Sequence, residues 1–207
     1  MLRSTIEFAE KYDVMVHGHL AESKSEYDFT MEQFGCSPVE WFRRNNLLGD
    51  RFYYAHCIHL DEQDIKVLAE TGTGVVSCPI SNMYLSSGSC QVRSMMDAGV
   101  ERIGLGVDGA ASSNSSNMMV AYLLNRLTHE ENACTSENIL YMATAGGAKA
   151  LGRNDIGTLV PGKAADLTLL DWSSLSYAGG RNDPADCIVR SGDARMVDTV
   201  IVNGEIV

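Results

Sequence analysis

The stretch Val14-Met-Val-His-Gly-His-Leu-Ala-Glu22 joins a short apolar run to a histidine and, three residues later, a glutamate. A short apolar run of this kind is typical of a buried strand. His19 and Glu22 then stand at and just beyond its carboxyl end. A neutral imidazole is the commonest metal ligand, and a carboxylate beside a metal is suited to carrying protons. The stretch therefore predicts a buried strand that ends in a chemically active pair.

Two later strand ends carry matching residues. His56 follows an aromatic run in Tyr54-Ala-His-Cys-Ile-His59, and Asp108 lies in Gly104-Leu-Gly-Val-Asp-Gly109. A catalytic zinc site usually takes three protein ligands and leaves a position for water. An isolated strand histidine is more often structural, but recurrence at successive strand ends favours one shared site. We expect His19, His56 and Asp108 to converge as metal ligands.

His17 is an alternative ligand, because it lies two residues before His19 and shares its face of a strand. We favour His19 alone, which is nearer the strand end and nearer Glu22. Glu22 also has a structural interpretation as a favourable charge at a helix N-terminus. His59 is predicted to be structural or to contact the ligands without binding the metal itself.

Short apolar strands alternate with helical patterns from residue 14 onward. The predicted strands are Val14–Leu20, Phe52–His56, Gly74–Ser77 and Arg102–Gly106. This alternation predicts an α/β fold with a parallel sheet and right-handed crossovers. Four such units would make half of an eight-stranded (β/α) barrel, which places its functional groups at strand carboxyl ends. A doubly wound open sheet is the alternative on periodicity alone.

Helical patterns fill most of the intervening chain. The predicted helices are Leu2–Tyr12, Glu22–Phe34, Pro38–Asn45, Asp61–Glu70, Ser89–Ala98, Met118–Leu127 and Ser136–Leu151. Residues 107–117 are predicted to be a small-residue loop. Within it Ser112, and Asn82 after the third strand, are candidate substrate-binding residues, although Ser and Asn also cap helices.

The character of the chain changes after Leu151. We expect residues 1–154 to form the half-barrel and residues 155–207 to form part of a small β-sandwich. A strand is predicted at Leu167–Leu170, and a terminal hairpin is predicted around Asn203-Gly204. The segment Ser173–Pro184 between them is predicted to be a loop.

Composition narrows the class of protein. The 207 residues carry a net charge of −11, which argues against nucleic acid or an anionic membrane as partner. No apolar run approaches the roughly 18 residues of a membrane span, and no secretory signal is visible. The six cysteines form no Cys-x-x-Cys pair, so we expect buried free thiols in a reducing cytoplasm.

Four motifs in this order resemble the amidohydrolase superfamily. They are His19-Leu-Ala-Glu22, Ala55-His-Cys-Ile-His59, Cys78-Pro-Ile-Ser-Asn82 and Gly104-Leu-Gly-Val-Asp-Gly109. The chain is most similar to the chlorohydrolase and aminohydrolase branch, which contains triazine hydrolases and guanine and 8-oxoguanine deaminases. The segments Gly157–Asp166 and Asp198–Gly204 resemble the tail of the same family.

The resemblance implies a hydrolase that deaminates a purine- or triazine-like ring with one zinc or iron ion. His19 and Asp108 would be ligands, and His56 would ligate or hydrogen-bond the attacking water. Glu22 would pass a proton to a ring nitrogen, and Asp108 would take the proton of the water. Ammonia or an amine would leave.

The family pattern also contains an earlier strand with a His-x-His pair, and a β layer before it, which have no counterpart here. The chain therefore resembles a C-terminal half, which we expect to be inactive until a missing N-terminal half or a second copy completes it. A hypothesis of a different class is a non-catalytic half-barrel that dimerises as an interaction protein. A doubly wound nucleotide-binding domain is a weaker alternative, because no glycine-rich phosphate loop is present.

Overall fold

The computed structural model describes residues 2–109, 114–129, 132–180 and 182–207. Its larger sheet has four parallel strands in the order β1-β2-β3-β4. They are β1 Val16–Leu20, β2 Phe52–His56, β3 Gly74–Ser77 and β4 Ile103–Leu105. Since neighbouring strands run in the same direction, their carboxyl ends lie at one edge of the sheet. The predicted α/β fold with a parallel sheet is confirmed.

Helices connect and flank these strands. They are α1 Leu2–Tyr12, α2 Lys24–Phe34, α3 Pro38–Arg44, α4 Glu62–Thr71, α5 Pro79–Tyr84, α6 Val92–Asp97, α7 Asn114–His129, α8 Ser136–Ala143, α9 Ala145–Ala150 and α10 Pro184–Ser191. Side-chain caps explain several starts. Asp61 accepts from the backbone N–H of Asp64 at the start of α4, and Ser37 accepts from that of Glu40 at the start of α3. Helices α2 and α4 are followed by Gly35 and Gly72, whose left-handed φ of 65° and 68° suits a glycine C-cap.

Three predicted helical boundaries were wrong. The helix predicted for Ser89–Ala98 is shorter, because only Val92–Asp97 is helical. Helix α7 begins at Asn114, so the loop predicted for residues 107–117 ends earlier. The pattern Ser136–Leu151 is two helices that separate at Thr144, whose φ of −129° and ψ of −98° are not helical.

Close packing explains the break at Thr144. A Cβ added to Gly146 would clash with the carbonyl oxygen of Ile103 in β4 and with the ring of Tyr141. Glycine thus allows α9 to lie directly against the sheet. One straight helix through Thr144 would have a single axis. The break at Thr144 lets α8 and α9 take different directions, so that each packs against its own neighbours.

Two helices were not predicted. Helix α5 starts with Pro79 immediately after β3, and α10 starts with Pro184 after the cap Asp183. Proline is well suited to the first turn of a helix, because its missing N–H has no partner there in any case. The segment predicted to be a loop from Ser173 contains a 3₁₀ helix at Leu175–Gly180.

A second, antiparallel sheet follows in the order β5-β6-β7, with strands Leu167–Leu170, Val197–Val202 and Glu205–Ile206. The predicted terminal hairpin is confirmed: Asn203 and Gly204 have φ of 50° and 85°, as a tight two-residue turn requires. Helix α10, between β5 and β6, packs on α7 and α8. The division at residues 154 and 155 stays a prediction.

The main core combines residues of both parts of the chain. Leu20, Val75 and Ile103 of the parallel sheet are buried in the same cluster as Val189 of α10. All six cysteines are buried and free, which confirms the prediction of free thiols. Within the described ranges, no helix combines the length and apolar character needed to cross a bilayer.

Candidate metal centre

His19 and His56 stand at the carboxyl ends of two adjacent strands. In the parallel register, Leu20 of β1 pairs with His56 of β2, which puts His19 one residue before the level of His56. Their rings stack with centroids 5.1 Å apart. His19 is exposed, whereas His56 is fully buried. The pair therefore presents one accessible and one enclosed imidazole at the same edge.

The two nitrogens of His56 have different surroundings. Nδ1 lies 2.7 Å from Oδ1 of Asn82, which is itself fully buried. Nε2 has no hydrogen-bond partner among the described residues. A buried polar atom without a partner is costly, so this nitrogen is placed where a further ligand would satisfy it.

Asp108 completes the cluster from the end of β4. Its Oδ2 accepts a 2.5 Å hydrogen bond from the hydroxyl of Ser81, and this bond is the main reason that the pKa of Asp108 lies below its usual value. One ligand atom from each of His19, His56 and Asp108 lies within 4.8 Å of the other two. The sequence predicted that these three residues would converge, and the structure brings them together.

Glu22 lies beside this cluster. Its Oε2 is 3.7 Å from Nε2 of His56, and its Oε1 accepts a 3.3 Å hydrogen bond from the hydroxyl of Ser87. The carboxylate of Glu26 accepts from the backbone N–H groups of Ala21 and Glu22, at 3.0 and 2.9 Å. Glu26 therefore anchors the turn that presents Glu22.

The backbone is strained at this edge. Ala21, His56, Cys57 and Asp108 all have φ between 48° and 74°, in the left-handed region that non-glycine residues rarely adopt. Such conformations persist only where the surrounding structure holds them, and they are concentrated at functional sites. Three of the four strand ends therefore turn sharply beside the cluster.

A cleft of about 230 Å³ opens along the same face of the sheet. His17, His19, Cys78 and Asp108 are among its lining residues. His17 lies outside the close cluster, because its ring stacks on Tyr53 and its Nδ1 hydrogen-bonds the Tyr53 carbonyl oxygen at 3.2 Å. The preference for His19 over His17 as a metal ligand stays a prediction.

Two further residues were predicted to bind substrate, and three residues that contact the site were not predicted. Ser112 lies outside the described residues. Asn82 is fully buried and contacts His56, and its predicted contact with substrate stays a prediction. Sequence reasoning did not identify the contacts of Ser81, Ser87 and Glu26 with the site. Only Ser81 had a signal, because it directly precedes Asn82 in a motif already singled out.

The residues present suit a divalent metal. Two imidazoles and one carboxylate are the ligand types that zinc takes in catalytic sites, and three protein ligands leave space for water. The Nε2 atom of His56 is buried and has no hydrogen-bond partner among the described residues, and a bound metal ion would satisfy it.

The sequence profile described as the Amidohydrolase family matches residues 1–207, and the chain belongs to this family. It is 41% identical over 208 residues to the 8-oxoguanine deaminase of Pseudomonas aeruginosa, which covers 99% of this chain and 46% of that protein. It is 41% identical over 212 residues to a 5-methylthioadenosine/S-adenosylhomocysteine deaminase of Desulforudis audaxviator, which covers 100% of this chain and 49% of that protein. The chain thus spans about half the length of these curated relatives.

Solved structures agree with this assignment. A zinc-bound adenosine deaminase from Xanthomonas campestris superimposes with a TM-score of 0.92 at 31% identity, over 99% of this chain and 48% of that one. Atrazine chlorohydrolase from Arthrobacter aurescens, complexed with zinc, gives a TM-score of 0.88 at 26% identity, over 97% and 45% of the two chains. These similar proteins hold zinc on a fold that this chain shares.

Proposed function

We propose that this chain is the C-terminal half of a metal-dependent deaminase that hydrolyses a C–N bond of a purine- or triazine-like ring. The observation that carries the proposal is the cluster of His19, His56 and Asp108, with ligand atoms within 4.8 Å and the carboxylate of Glu22 beside it. The four parallel βα units would be half of an eight-stranded barrel. Residues 155–207 would then contribute strands to a β layer that the rest of the enzyme completes.

His19, His56 and Asp108 would hold a zinc or iron ion. When bound, such an ion lowers the pKa of a water molecule so that it becomes a nucleophile near neutral pH. Asp108 is suited to accept the proton of that water, because its carboxylate is ionised at neutral pH and is held by Ser81. His56 is suited to hold the water or the ion through Nε2.

Glu22 would carry a proton to the substrate. Its carboxylate is part-exposed and directed towards His56, and Ser87 and the Glu26-anchored turn limit its movement. A carboxylate that shuttles a proton must lie within hydrogen-bond reach of both the donor and the ring nitrogen. The cleft beside β1 and β4 is where we expect the ring to bind, with Ser112 as a further substrate contact.

The rest of the site would come from another polypeptide segment. The three ligands lie at one edge of the sheet, so other residues would have to enclose the remaining sides of the metal and the substrate. The relatives are about twice as long as this chain. The named relatives are enzymes, which favours a catalytic role over that of a dimerising interaction protein.

The first experiment measures bound zinc and ammonia release from 8-oxoguanine, guanine and S-adenosylhomocysteine. It uses the 207-residue chain alone and mixed with a separately expressed N-terminal half of a similar deaminase. We expect ammonia only on mixing. Glu22→Gln should abolish ammonia release without loss of zinc, whereas Glu32→Gln, which removes an exposed acid of α2, should change neither.

Two outcomes would contradict the proposal. Activity of the lone chain would mean that the three residues suffice and that no second half is needed. Absence of both zinc and activity in the mixture would remove the metal role of the cluster.

A further inference from the structure

We infer that Asn82 is a positioning residue that holds the His56 ring in one tautomer, with the proton on Nδ1 and the lone pair of Nε2 directed at the candidate metal centre. The consequence for metal binding rests on the proposed function, whereas the tautomer itself does not.

The structure turns Oδ1 of the Asn82 amide towards His56 and leaves its Nδ2 without a partner among the described residues, and this orientation assigns the proton. Neither His56 nor Asn82 is accessible to solvent, and Nδ1 and Oδ1 are 2.7 Å apart. An amide oxygen can only accept, so Nδ1 of His56 donates to it. A neutral imidazole carries one proton, and its other nitrogen is then an acceptor. Asn82 thus leaves Nε2 with a free lone pair.

The surroundings of Nε2 agree with this assignment. The nearest carboxylate oxygens, Oε2 of Glu22 and Oδ2 of Asp108, lie 3.7 and 3.9 Å away. Both distances exceed those of a protein hydrogen bond. A proton on Nε2 would be drawn to these two carboxylates, yet neither is close enough to accept it. The lone pair of Nε2 is therefore available to bind a metal ion.

His56 differs from other histidines of the chain in the kind of partner it uses. His17 and His59 hydrogen-bond the backbone carbonyl oxygens of Tyr53 and Ser87. A backbone partner survives any substitution, whereas the partner of His56 is a side chain. The tautomer of His56 can therefore be changed by a single replacement.

Helix α5 provides this arrangement although β3 contributes no ligand of its own. Its backbone is tied down on both sides of Asn82, because Asn82 N–H donates to the carbonyl of Cys78 and Ser87 N–H donates to that of Asn82, both at 2.9 Å. The adjacent Ser81 holds Asp108. One short helix therefore orients two of the three candidate ligands, one through each of two consecutive side chains.

The test is a long-range ¹H–¹⁵N NMR correlation of the metal-free chain, with His56→Gln to identify the ring signals. The wild-type ring should carry its proton on Nδ1. In Asn82→Leu, which has a similar volume and no acceptor, the proton should move to Nε2, because this nitrogen faces the negative charges of Glu22 and Asp108 at 3.7 and 3.9 Å. Asn82→Asp restores an acceptor and should keep the proton on Nδ1.

Asn125→Leu is the matched control. Asn125 is also buried, and its Oδ1 accepts from the backbone N–H of Cys134 at 2.6 Å, away from the cluster. The control loses one buried amide in the same way and should leave the His56 tautomer unchanged. A Zn²⁺ titration of each variant, mixed with the N-terminal half of a similar deaminase, adds a second readout. Affinity should fall about 10- to 100-fold in Asn82→Leu and stay within about threefold in Asn82→Asp and Asn125→Leu.

A wild-type ring protonated on Nε2 would overturn the inference, and so would an Asn82→Leu ring that keeps its proton on Nδ1. If Asn82→Leu does not fold, the spectra of the wild type and of Asn82→Asp still decide. The expected tautomers, without Zn²⁺ binding by any variant even when it is mixed with the N-terminal half, would support the role of Asn82 and contradict the proposed metal site.

Discussion

The two ends of the parallel sheet are built in opposite ways. At the carboxyl end, four residues have left-handed backbone conformations, and the buried Nε2 of His56 has no hydrogen-bond partner in the part of the chain that the structure describes. At the amino end, two arginines satisfy backbone carbonyl groups. Arg102, just before β4, donates to four of them at 2.6 to 3.0 Å, those of Asp50, Gly72, Lys149 and Ala150.

Arg51 does the same at the start of β1 and β2. It donates to the carboxylate of Asp13 at 3.0 Å and to the carbonyl of Val14 at 3.3 Å. One end of the sheet is therefore held together by arginine hydrogen bonds to the backbone, while the other end has a buried ring nitrogen without a partner among the described residues. The comparison indicates that stability and chemistry are separated along the strands, which is the separation that (β/α) barrels show.

The largest expected effect is on metal binding at the carboxyl end. Asp108→Asn removes the carboxylate but keeps a residue that tolerates the left-handed backbone. In the mixture with the N-terminal half we expect Zn²⁺ affinity to fall at least about 100-fold, because loss of a ligand's hydrogen-bond partner alone costs about 10- to 100-fold. The urea midpoint should stay unchanged. Asp155→Asn, at an exposed acid paired with Arg153, is the control and should alter neither measurement.

A substitution at the amino end should lower the stability of the fold and leave Zn²⁺ affinity unchanged. Arg102→Met keeps the aliphatic stem and removes all four hydrogen bonds, so we expect the free energy of unfolding to fall by about 3 kcal/mol. Zn²⁺ affinity should not change in the fraction that remains folded. Arg195→Met loses only an exposed pair with Asp193 and should show no measurable change in urea unfolding. Equal effects of the two arginines would contradict the role given to Arg102.

A third prediction concerns the middle of the sheet, where α9 packs on β4. Gly146→Ala forces a methyl group against Ile103, and we expect a loss of about 2 kcal/mol in urea unfolding. Gly179→Ala is the matched substitution in open space and should be neutral or slightly stabilising. A neutral Gly146→Ala would mean that α9 lies further from β4 than the structure places it.

The smallest effect concerns the buried thiols and pH. Burial raises the pKa of Cys90 to about 12 and that of Cys134 to about 11, whereas an unfolded thiol titrates near 8.5. Above about pH 8.5 the unfolded chain loses protons that the folded chain keeps, so stability is intact below that pH and falls as pH rises. We expect a loss on the order of 1 kcal/mol per thiol by pH 10.

Cys90→Ala isolates this contribution. At pH 7 the variant should be less stable than the wild type, because a small cavity remains. Above pH 8.5 the difference in unfolding free energy should narrow. A difference that stays constant from pH 7 to 10 would mean that Cys90 does not contribute to the alkaline loss.

Much of this architecture could be predicted, because its signals are local. Strand β2 and the caps at Asp61 and Gly72 follow from short-range patterns, and so does the Asn203-Gly204 hairpin. The convergence of His19, His56 and Asp108 was predicted because parallel strands bring equivalent ends to one edge. Asn82 was assigned to substrate because its residue type suits hydrogen bonding and nothing in the sequence shows that α5 encloses it.

The sequence by itself determined the alternation of strands and helices, the family and the candidate ligands, because periodicity, caps and motifs lie within a few residues of one another. Only the tertiary structure decided which partners these residues meet. Arg102 reaches carbonyl groups up to 52 positions away in sequence, and Asn82 reaches His56 across 26. Such contacts depend on how helices α5 and α9 pack, and packing is a property of the folded chain as a whole.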